Sequence, residues 1–213
     1  QWTYEMFLDH VLPEDRAIVN AKFCEATNAR KDWNFECRIR RLDGEVRWIW
    51  AAGRHRLDAS GSLRRMAGIV QDITERKQLE EQTRQRAEEI ETIMEAAPVA
   101  IWIGHDPLSH SITGNKMANE FYEAKAGENV SASITPVRRF FLEDKELTAD
   151  ELPMQQASLR DIDVRNAELD VLLPSGERRS LLGAASPLHD TEGNVRGSIG
   201  TFIDITERKL AEE

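Results

Sequence analysis

The side chains best suited to nucleophilic or metal chemistry in this sequence are two cysteines and five histidines. Cys24 and Cys37 match neither a disulfide framework nor the paired spacing of a metal site. The histidines form no HxxxH pair and no cluster with a cysteine, as a zinc site would require. They are His10, His55, His105, His110 and His189. We therefore expect no metal site and two reduced thiols.

Sequence motifs typical of catalysis are missing. No glycine-rich phosphate loop follows a strand, and no Ser-His-Asp, Cys-His or paired-histidine zinc arrangement is suggested locally. The acid pair Asp161 and Asp163 is typical of loop charges rather than of a general acid and base. The sequence thus predicts a chain without catalytic residues.

A six-residue string, Asp-Ile-Thr-Glu-Arg-Lys, occurs twice, at residues 72–77 and 204–209. Its D-x-x-E spacing is that of a capping box, in which the first side chain binds free amides of the first helical turn and the second reaches back. The threonines are competing N-cap candidates. Each string predicts a strand joined to an outgoing helix with little slack, so that a shift of the sheet would be transmitted to the helix; a purely structural cap is the alternative. The candidate residues are Asp72, Thr74, Glu75, Asp204, Thr206 and Glu207.

The string closes a longer internal repeat. Shifting the sequence by 132 positions matches fifteen of forty-two residues between 36–77 and 168–209. Gly44 aligns with Gly176 in a predicted hairpin turn, where glycine readily takes the positive φ required. Each copy is predicted to be a three-stranded meander. The predicted strands are 34–42, 45–57 and 63–72 in the first copy, and 167–173, 177–188 and 195–204 in the second.

These stretches resemble a known family. The segment RLDGEVRWIWAAGRHRLDASGSLRRMAGIVQDITERK resembles the C-terminal half of a PAS domain, often called PAC. The segment APVAIWIGHDPLSHSITGNKMANEFY is similar to the first strands and short helices of that fold. The whole chain is most similar to the tandem PAS/PAC sensory domains of bacterial or archaeal-type signalling proteins, above all those of sensor histidine kinases.

The resemblance implies an α+β fold, in which a PAS-like antiparallel sheet with flanking helices occurs as one partial, C-terminal-half copy and one complete copy joined by a helix. The first copy has no counterpart of residues 96–132, so we expect a segment cut from a longer protein, with a short variant or a swapped assembly as alternatives. The predicted divisions are a partial unit at 1–74, a helical connector at 75–97, a complete unit at 98–206, and the start of an outgoing signalling helix at 207–213.

The connector contains no glycine or proline and consists almost entirely of strong helix formers. A 4-3 rhythm runs through it, although two of its six positions are polar. This pattern predicts a helix that pairs with its twin in a homodimer, with a solvated spacer as the alternative. Sheet edges left unpaired in the first copy offer a second route to dimerisation.

The resemblance also implies a pocket that holds haem, flavin, a small metabolite or nothing. In the first strand of the second copy, Ile101 and Ile103 face inward or, in the opposite register, Trp102 does. Ordinary core packing is the alternative for every candidate. The candidates are Ile101, Trp102, Ile103, Asn115, Asn119, Tyr122, Phe140, Leu182, Ala184 and Thr201.

No cofactor is required by the sequence. Haem is disfavoured because His105 and His110 flank a predicted loop rather than lying on a helix beside the pocket. A photoactive flavin adduct of the resembled light-sensing subclass needs a cysteine, and the second copy contains none.

A formal charge of −10 argues against nucleic acid as a partner, since phosphate binding relies on clustered Lys and Arg. No run approaches the roughly 20 apolar residues that cross a bilayer. We expect a cytoplasmic, non-catalytic sensory and relay segment of a larger protein with a downstream output domain, most typically a sensor histidine kinase. A ligand-free dimerisation scaffold and a spacer in a cyclic-dinucleotide enzyme are the alternatives.

Overall fold

The computed structural model describes residues 3–29, 31–57 and 63–212, and it describes side chains at neither 55–57 nor 63–66. The side chain of His55 and the loop at 58–62, which aligns with the turn at Asp190, therefore lie outside the described residues, as does residue 213. Within these limits the chain forms two compact units, residues 1–87 and 88–213.

The first unit is a three-stranded antiparallel sheet of order β1-β2-β3, preceded by two helices. Buried side chains alternate along β1, where Phe35 and Cys37 lie opposite Ala51 and Ile49 of β2. Val19 of the second helix packs against them in one core cluster. The elements are α1 (Tyr4–His10), α2 (Pro13–Asn28), β1 (Trp33–Arg40), β2 (Val46–Leu57) and β3 (Leu63–Asp72).

The connecting helix α3 (Thr74–Ala96) crosses the boundary between the two units in sequence and buries no residue among those described. Its large apolar side chains are solvent-exposed, with 56% of Leu79, 59% of Ile90 and 62% of Ile93 accessible. The helix therefore owes little to packing on its own unit, and its strong helix formers account for its formation.

The second unit is a seven-stranded sheet of order β5-β4-β10-β9-β8-β6-β7 with antiparallel pairings. Short helices cover one face. The strands are β4 (Ala100–Gly104), β5 (Ile112–Gly114), β6 (Arg139–Leu142), β7 (Lys145–Glu146), β8 (Val164–Leu172), β9 (Arg178–His189) and β10 (Val195–Asp204). The helices are α4 (Lys116–Tyr122), a 3-10 turn (Ala149–Glu151), α5 (Pro153–Arg160) and α6 (Thr206–Glu212).

The expected hairpin turns form in both units. Gly44 has a φ of +87° and Gly176 a φ of +88°, a conformation that costs glycine little and other residues more. The amide of Arg41 bonds the carbonyl of Glu45, and the amide of Leu173 bonds that of Glu177, each at 2.8 Å. Both predicted meanders are confirmed, with strand ends within three residues of those expected.

The two units differ in what surrounds the meander. In the second unit, β10 pairs with β9 on one side and with β4 on the other. In the first unit, the equivalent strand β3 pairs with β2 alone among the described strands. Ile69 and Val70 of β3 are 64% and 61% exposed. The predicted combination of one partial and one complete copy is confirmed.

Candidate functional site

A cavity of about 40 Å³ lies inside the second unit, between the sheet and the helices α4 and α5. Met154 of α5 approaches β10 closely at Gly200, where an added Cβ would lie 2.9 Å from the methionine Cγ. The lining residues are Trp102, Ile112, Tyr122, Val130, Ala132, Phe140, Leu152, Pro153, Met154, Gln155, Leu169 and Phe202.

Aromatic side chains form one wall of this cavity. The ring centroids of Trp102 and Tyr122 are 4.5 Å apart, and Phe140 meets Tyr122 edge-on at 6.0 Å. Phe202 meets Trp102 edge-on at 5.8 Å. Burial raises the pKa of the Tyr122 phenol, so this group is neutral at any physiological pH. Three of the ten residues expected from the sequence, Trp102, Tyr122 and Phe140, thus line one space.

The strand β4 takes the register that turns Trp102 inward. Trp102 is 2% exposed, whereas Ile101 and Ile103 are half-buried and do not line the cavity. Side chains alternate along a strand, so both sets cannot face the same space. The sequence left both registers open because every residue of this strand before Gly104 is apolar.

Leu182, Ala184 and Thr201 lie away from the cavity. They line a shallow groove that also includes Val99 and Ile203. In β9 the core residues are Leu181 and Ala185, and Leu182 and Ala184 alternate with them to the other face. The run Ser-Leu-Leu-Gly-Ala-Ala-Ser has no polar alternation that would have indicated which residues face inward.

The two asparagines serve the backbone. Asn115 is 1% exposed, and its Oδ1 accepts the amides of Ala118 and Ile101 at 2.9 and 3.0 Å. Its Nδ2 donates to the carbonyls of Met94 and Val99 at 2.7 and 3.0 Å. Asn115 therefore caps α4 and holds the end of the incoming helix α3 to β4.

Asn119 donates from Nδ2 to the carbonyl of Gly114 at 3.0 Å. Its Oδ1 is buried without a hydrogen-bond partner among the described residues, and so is Nε1 of Trp102. Neither asparagine lines the cavity. Both were candidates for contact with a ligand, and the structure instead places Asn115 after β5 as the cap of α4 and Asn119 within α4.

Sequence reasoning missed several cavity residues, above all Met154, Gln155 and Phe202. Phe202 lies on the same face of β10 as the buried Ser198 and Gly200, but the run Ser-Ile-Gly-Thr-Phe-Ile does not alternate regularly in polarity and so did not indicate this face. The helix α5 was detectable from Pro153, which begins it at a position where proline is favoured. Nothing local indicated which of its residues would face the sheet.

The first Asp-Ile-Thr-Glu-Arg-Lys string joins β3 to α3, and hydrogen bonds hold this joint to the middle strand β2. The backbone amide of Ile73 donates to the carbonyl of Trp48 at 2.9 Å, and the amide of Trp48 donates to the hydroxyl of Thr74 at 2.9 Å. Asp72 accepts the amide of Thr74 at 2.9 Å. The hydroxyl of Thr74, and after it this amide, lower the pKa of the Asp72 carboxyl group. The joint is thus bonded to the neighbouring strand.

The second string makes the same contacts. Ile205 donates to the carbonyl of Ser180 at 2.8 Å, and the amide of Ser180 donates to the hydroxyl of Thr206 at 2.9 Å. Asp204 accepts the amide of Thr206 at 2.8 Å and also its hydroxyl. The two joints are therefore equivalent in geometry as well as in sequence.

A capping box does not form at either joint. Within the described part of the chain, neither Glu75 nor Glu207 hydrogen-bonds back to its aspartate amide. The helices begin at Thr74 and Thr206, one residue later than a box starting at the aspartates requires, so the glutamates occupy the wrong turn position. The aspartate instead forms a turn with the threonine two residues on.

The lysine that ends each string pairs with the first strand of its meander. Lys77 lies 2.7 Å from a carboxylate oxygen of Glu36, and Lys209 lies 3.4 Å from one of Glu168. The partners occupy equivalent positions, since both pairs are related by the shift of 132 residues. Each outgoing helix is therefore linked to two strands besides the one that it continues.

Comparison with known proteins places both units in one family. Residues 2–70 match a family model described as a PAS fold, and residues 98–207 match one described as a PAS domain. These are sensory rather than catalytic domains. Among the described residues, no helix has the length and apolar character needed to cross a membrane.

Curated relatives of this chain include signalling proteins. The probable diguanylate cyclase DgcE of Escherichia coli is 25% identical over 213 residues, which are 99% of this chain and 19% of that protein. The sensor protein FixL of Bradyrhizobium diazoefficiens is 26% identical over 132 residues, 61% of this chain and 26% of that protein. The chain thus spans about a quarter or less of their lengths.

Among solved structures, the PAS domain of a protein from Colwellia psychrerythraea is 18% identical, with a TM-score of 0.41, over 59% of this chain and 98% of that one. Family membership rests on the model of residues 98–207, which covers more than half of the chain, and on the second match upstream of it. With its repeated meanders and joints, the chain belongs to the PAS domain family, as a tandem of two such domains.

Proposed function

We propose that this chain is a sensory and relay segment of a longer cytoplasmic signalling protein, in which the second PAS domain binds a small molecule. One observation carries the proposal. Phe202 lines the cavity, and Asp204, two residues further along β10, begins the joint to the outgoing helix. A ligand that shifts Phe202 acts on the strand that ends in the relay joint.

The incoming helix is connected to the same core. Asn115 hydrogen-bonds Met94 near the end of α3 and Ile101 in β4, directly beside Trp102. A change around Trp102 therefore reaches both the helix that enters the domain and the helix that leaves it. The ligand acts only to the extent that it binds the two arrangements of the domain with different affinity.

The parent protein that best suits this role is a sensor histidine kinase, with a cyclic-dinucleotide enzyme as the alternative. Similarity to a sensor protein and to a probable diguanylate cyclase supports both. A further candidate is a ligand-free dimerisation scaffold. The exposed apolar residues Leu79, Ile90 and Ile93 of α3 support this alternative.

Native mass spectrometry of the gently purified chain, followed by denaturation, tests ligand binding. We expect a small molecule that is released on denaturation, because the cavity carries polar groups without protein partners. Detection of no retained compound, together with a dry cavity, would rule out sensing by a ligand and leave the scaffold.

Substitution of Asp204 by alanine in the full-length parent tests relay. We expect a reduced signal response from a folded protein, since the turn that holds Thr206 is lost. Asp190→Ala is the matched control, because Asp190 also accepts turn amides, from Glu192 and Asn194, but lies away from the joint. If the two variants respond equally to the signal, the joint has only a structural role.

A further inference from the structure

The side chain of Gln155 is almost entirely shielded from solvent and borders the cavity of the second PAS domain. The residue lies in the first turns of α5 and is 2% exposed. Its side chain makes no hydrogen bond to any residue that the structure describes. A carboxamide can donate two hydrogen bonds and accept two, and leaving it unbonded in a nearly closed space is costly. A molecule inside the cavity can supply these bonds.

The neighbouring Gln156 shows that a glutamine at the start of this helix does not have to be buried. Gln156 is only half-buried, and its Nε2 donates to the carbonyl of Glu151 at 2.6 Å, which secures the start of α5. Gln155 has no comparable role. An apolar residue at position 155 would fill the same space without leaving an amide unbonded.

The walls of the cavity exclude a charged occupant. In the part of the chain that the structure describes, no Asp, Glu, Lys, Arg or His lines it. An ion placed there would lose its hydration with no countercharge to compensate. Besides Gln155, the polar side chains that line the cavity among the described residues are those of Trp102 and Tyr122. The phenol of Tyr122 stays neutral.

A buried guanidinium packs on a lining residue without lining the cavity itself, and among the described residues its Nη1 has no hydrogen-bond partner. Arg138 lies over the Tyr122 ring at 5.4 Å and is not a lining residue. Its Nε donates to the carbonyl of Tyr122 at 2.7 Å, and its Nη2 lies 3.5 Å from Glu128. The guanidinium thus fixes the position of Tyr122 from outside the cavity.

The volume limits the size of the occupant. A buried water requires roughly 10–15 Å³ of such space, so about 40 Å³ holds about three waters or a molecule of a few non-hydrogen atoms. Haem and flavin are far larger. The aromatic and aliphatic walls favour a compact molecule with one polar edge.

We propose that the cavity binds a small uncharged molecule whose amide-type edge, one donor beside one acceptor, pairs with the carboxamide of Gln155. Its apolar remainder packs against Phe140, Met154 and Phe202. This inference rests on the proposed function, which requires only that some small molecule occupies the cavity.

Three probes of equal size, acetamide, acetone and acetate, test the chemical class. Acetamide has the donor–acceptor edge, acetone lacks the donor, and acetate is charged. The indole N–H of Trp102 reports binding in nitrogen-15 NMR titrations of the 213-residue chain, because Trp102 is the one tryptophan in residues 88–213. We expect acetamide to bind roughly fivefold more tightly than acetone, and acetate to bind most weakly.

Two variants test whether Gln155 is the residue that favours acetamide over acetone. Gln155→Leu is expected to abolish the advantage of acetamide over acetone, and Gln156→Leu, the matched control, to retain it. Without any probe, Gln155→Leu should melt at the same temperature as the parent chain or higher, because it removes an unbonded buried amide. A lower melting temperature with an unchanged acetamide preference would assign Gln155 a structural role and overturn the proposal.

The outcome also separates this inference from the proposed function. Tighter binding of acetate than of acetamide, or retention of an anion in native mass spectrometry, would overturn the uncharged class while leaving ligand sensing intact. A cavity that binds none of the probes and retains no compound would overturn both.

Discussion

At the scale of single residues, the threonines of the repeated string are the polar centres of the joints. The hydroxyl groups of Thr74 and Thr206 each accept the backbone amide of the middle strand, from Trp48 and Ser180. A hydroxyl can accept and donate at once, so one side chain serves both the strand and, in the second unit, Asp204. This dual role explains why the string contains threonine between apolar and charged residues.

Thr206→Val tests that role at nearly constant volume. The amide of Ser180 would lose its partner, and we expect the free energy of unfolding of the second unit to fall by about 1 kcal/mol. Urea unfolding measures the change. Thr206→Ser keeps the hydroxyl and should be affected much less. If serine and valine destabilise equally, the hydrogen bond contributes little and the methyl contacts dominate.

At the scale of elements, β10 and α3 connect the parts of the molecule that the proposed relay needs. Strand β10 contains the cavity residue Phe202 and ends in the joint at Asp204. Helix α3 starts at the equivalent joint of the first unit and ends at the hydrogen bond between Asn115 and Met94. Each element is thus fixed at one end by backbone hydrogen bonds and at the other by a core contact or a cap.

The exposed apolar residues of α3 predict self-association. Ile90→Glu combined with Ile93→Glu should shift a dimer of the chain towards monomer without loss of helix, because neither residue is buried in its own unit. Sedimentation velocity measures the shift, and circular dichroism measures the helix. Thr92→Glu adds one negative charge, against two in the double variant, to a different side of the helix and should leave association unchanged. Monomeric behaviour of the unmodified chain would contradict this prediction.

At the scale of the whole molecule, two cores of unequal size define the two units. The core of the second unit draws on strands β4, β5, β6, β8, β9 and β10 and on helices α4 and α5, whereas that of the first draws on β1, β2 and the two helices before them. Buried apolar area is the main source of stability, so the first unit should unfold at lower denaturant concentration.

Acid should weaken the first unit through Asp15. Hydrogen bonds from Arg38 lower the pKa of this carboxyl group, with Arg38 Nη2 at 2.6 Å. A carboxyl whose pKa is lower in the folded state stabilises the fold above its unfolded pKa of about 3.9, and this contribution is lost as the pH falls below that value towards the folded pKa.

Urea unfolding at pH 5 and at pH 3 measures the effect. The unfolding step of the first unit is the one that Thr206→Val, a change in the second unit, leaves unchanged. Asp15→Asn should make that step less sensitive to acid than in the parent chain. An identical loss of stability in the variant would assign the acid sensitivity to other carboxyl groups, such as Glu36, whose pKa is also lowered, by Lys77 and Arg76.

The sequence by itself determined the features that depend on local chemistry. Turn formation at the hairpin glycines, the joint at the repeated string, helix formation in α3 and strand length all depend on residues close together in the sequence. Gly44, Gly176 and the meander bounds were therefore predictable. The shift of 132 residues added the difference between the two copies, because a repeat preserves spacing, and the family came from the resemblance of the repeated segments to PAS domains.

Only the tertiary structure decided which faces of these elements meet. Both registers of β4 were open until the packing of Tyr122 and Phe202 placed Trp102 inward. Gln155 and Gln156 are the same residue type side by side, and only the position of α5 on the sheet distinguishes the unbonded amide from the bonded one. Such choices depend on contacts between residues far apart in sequence, whose energies no local pattern contains.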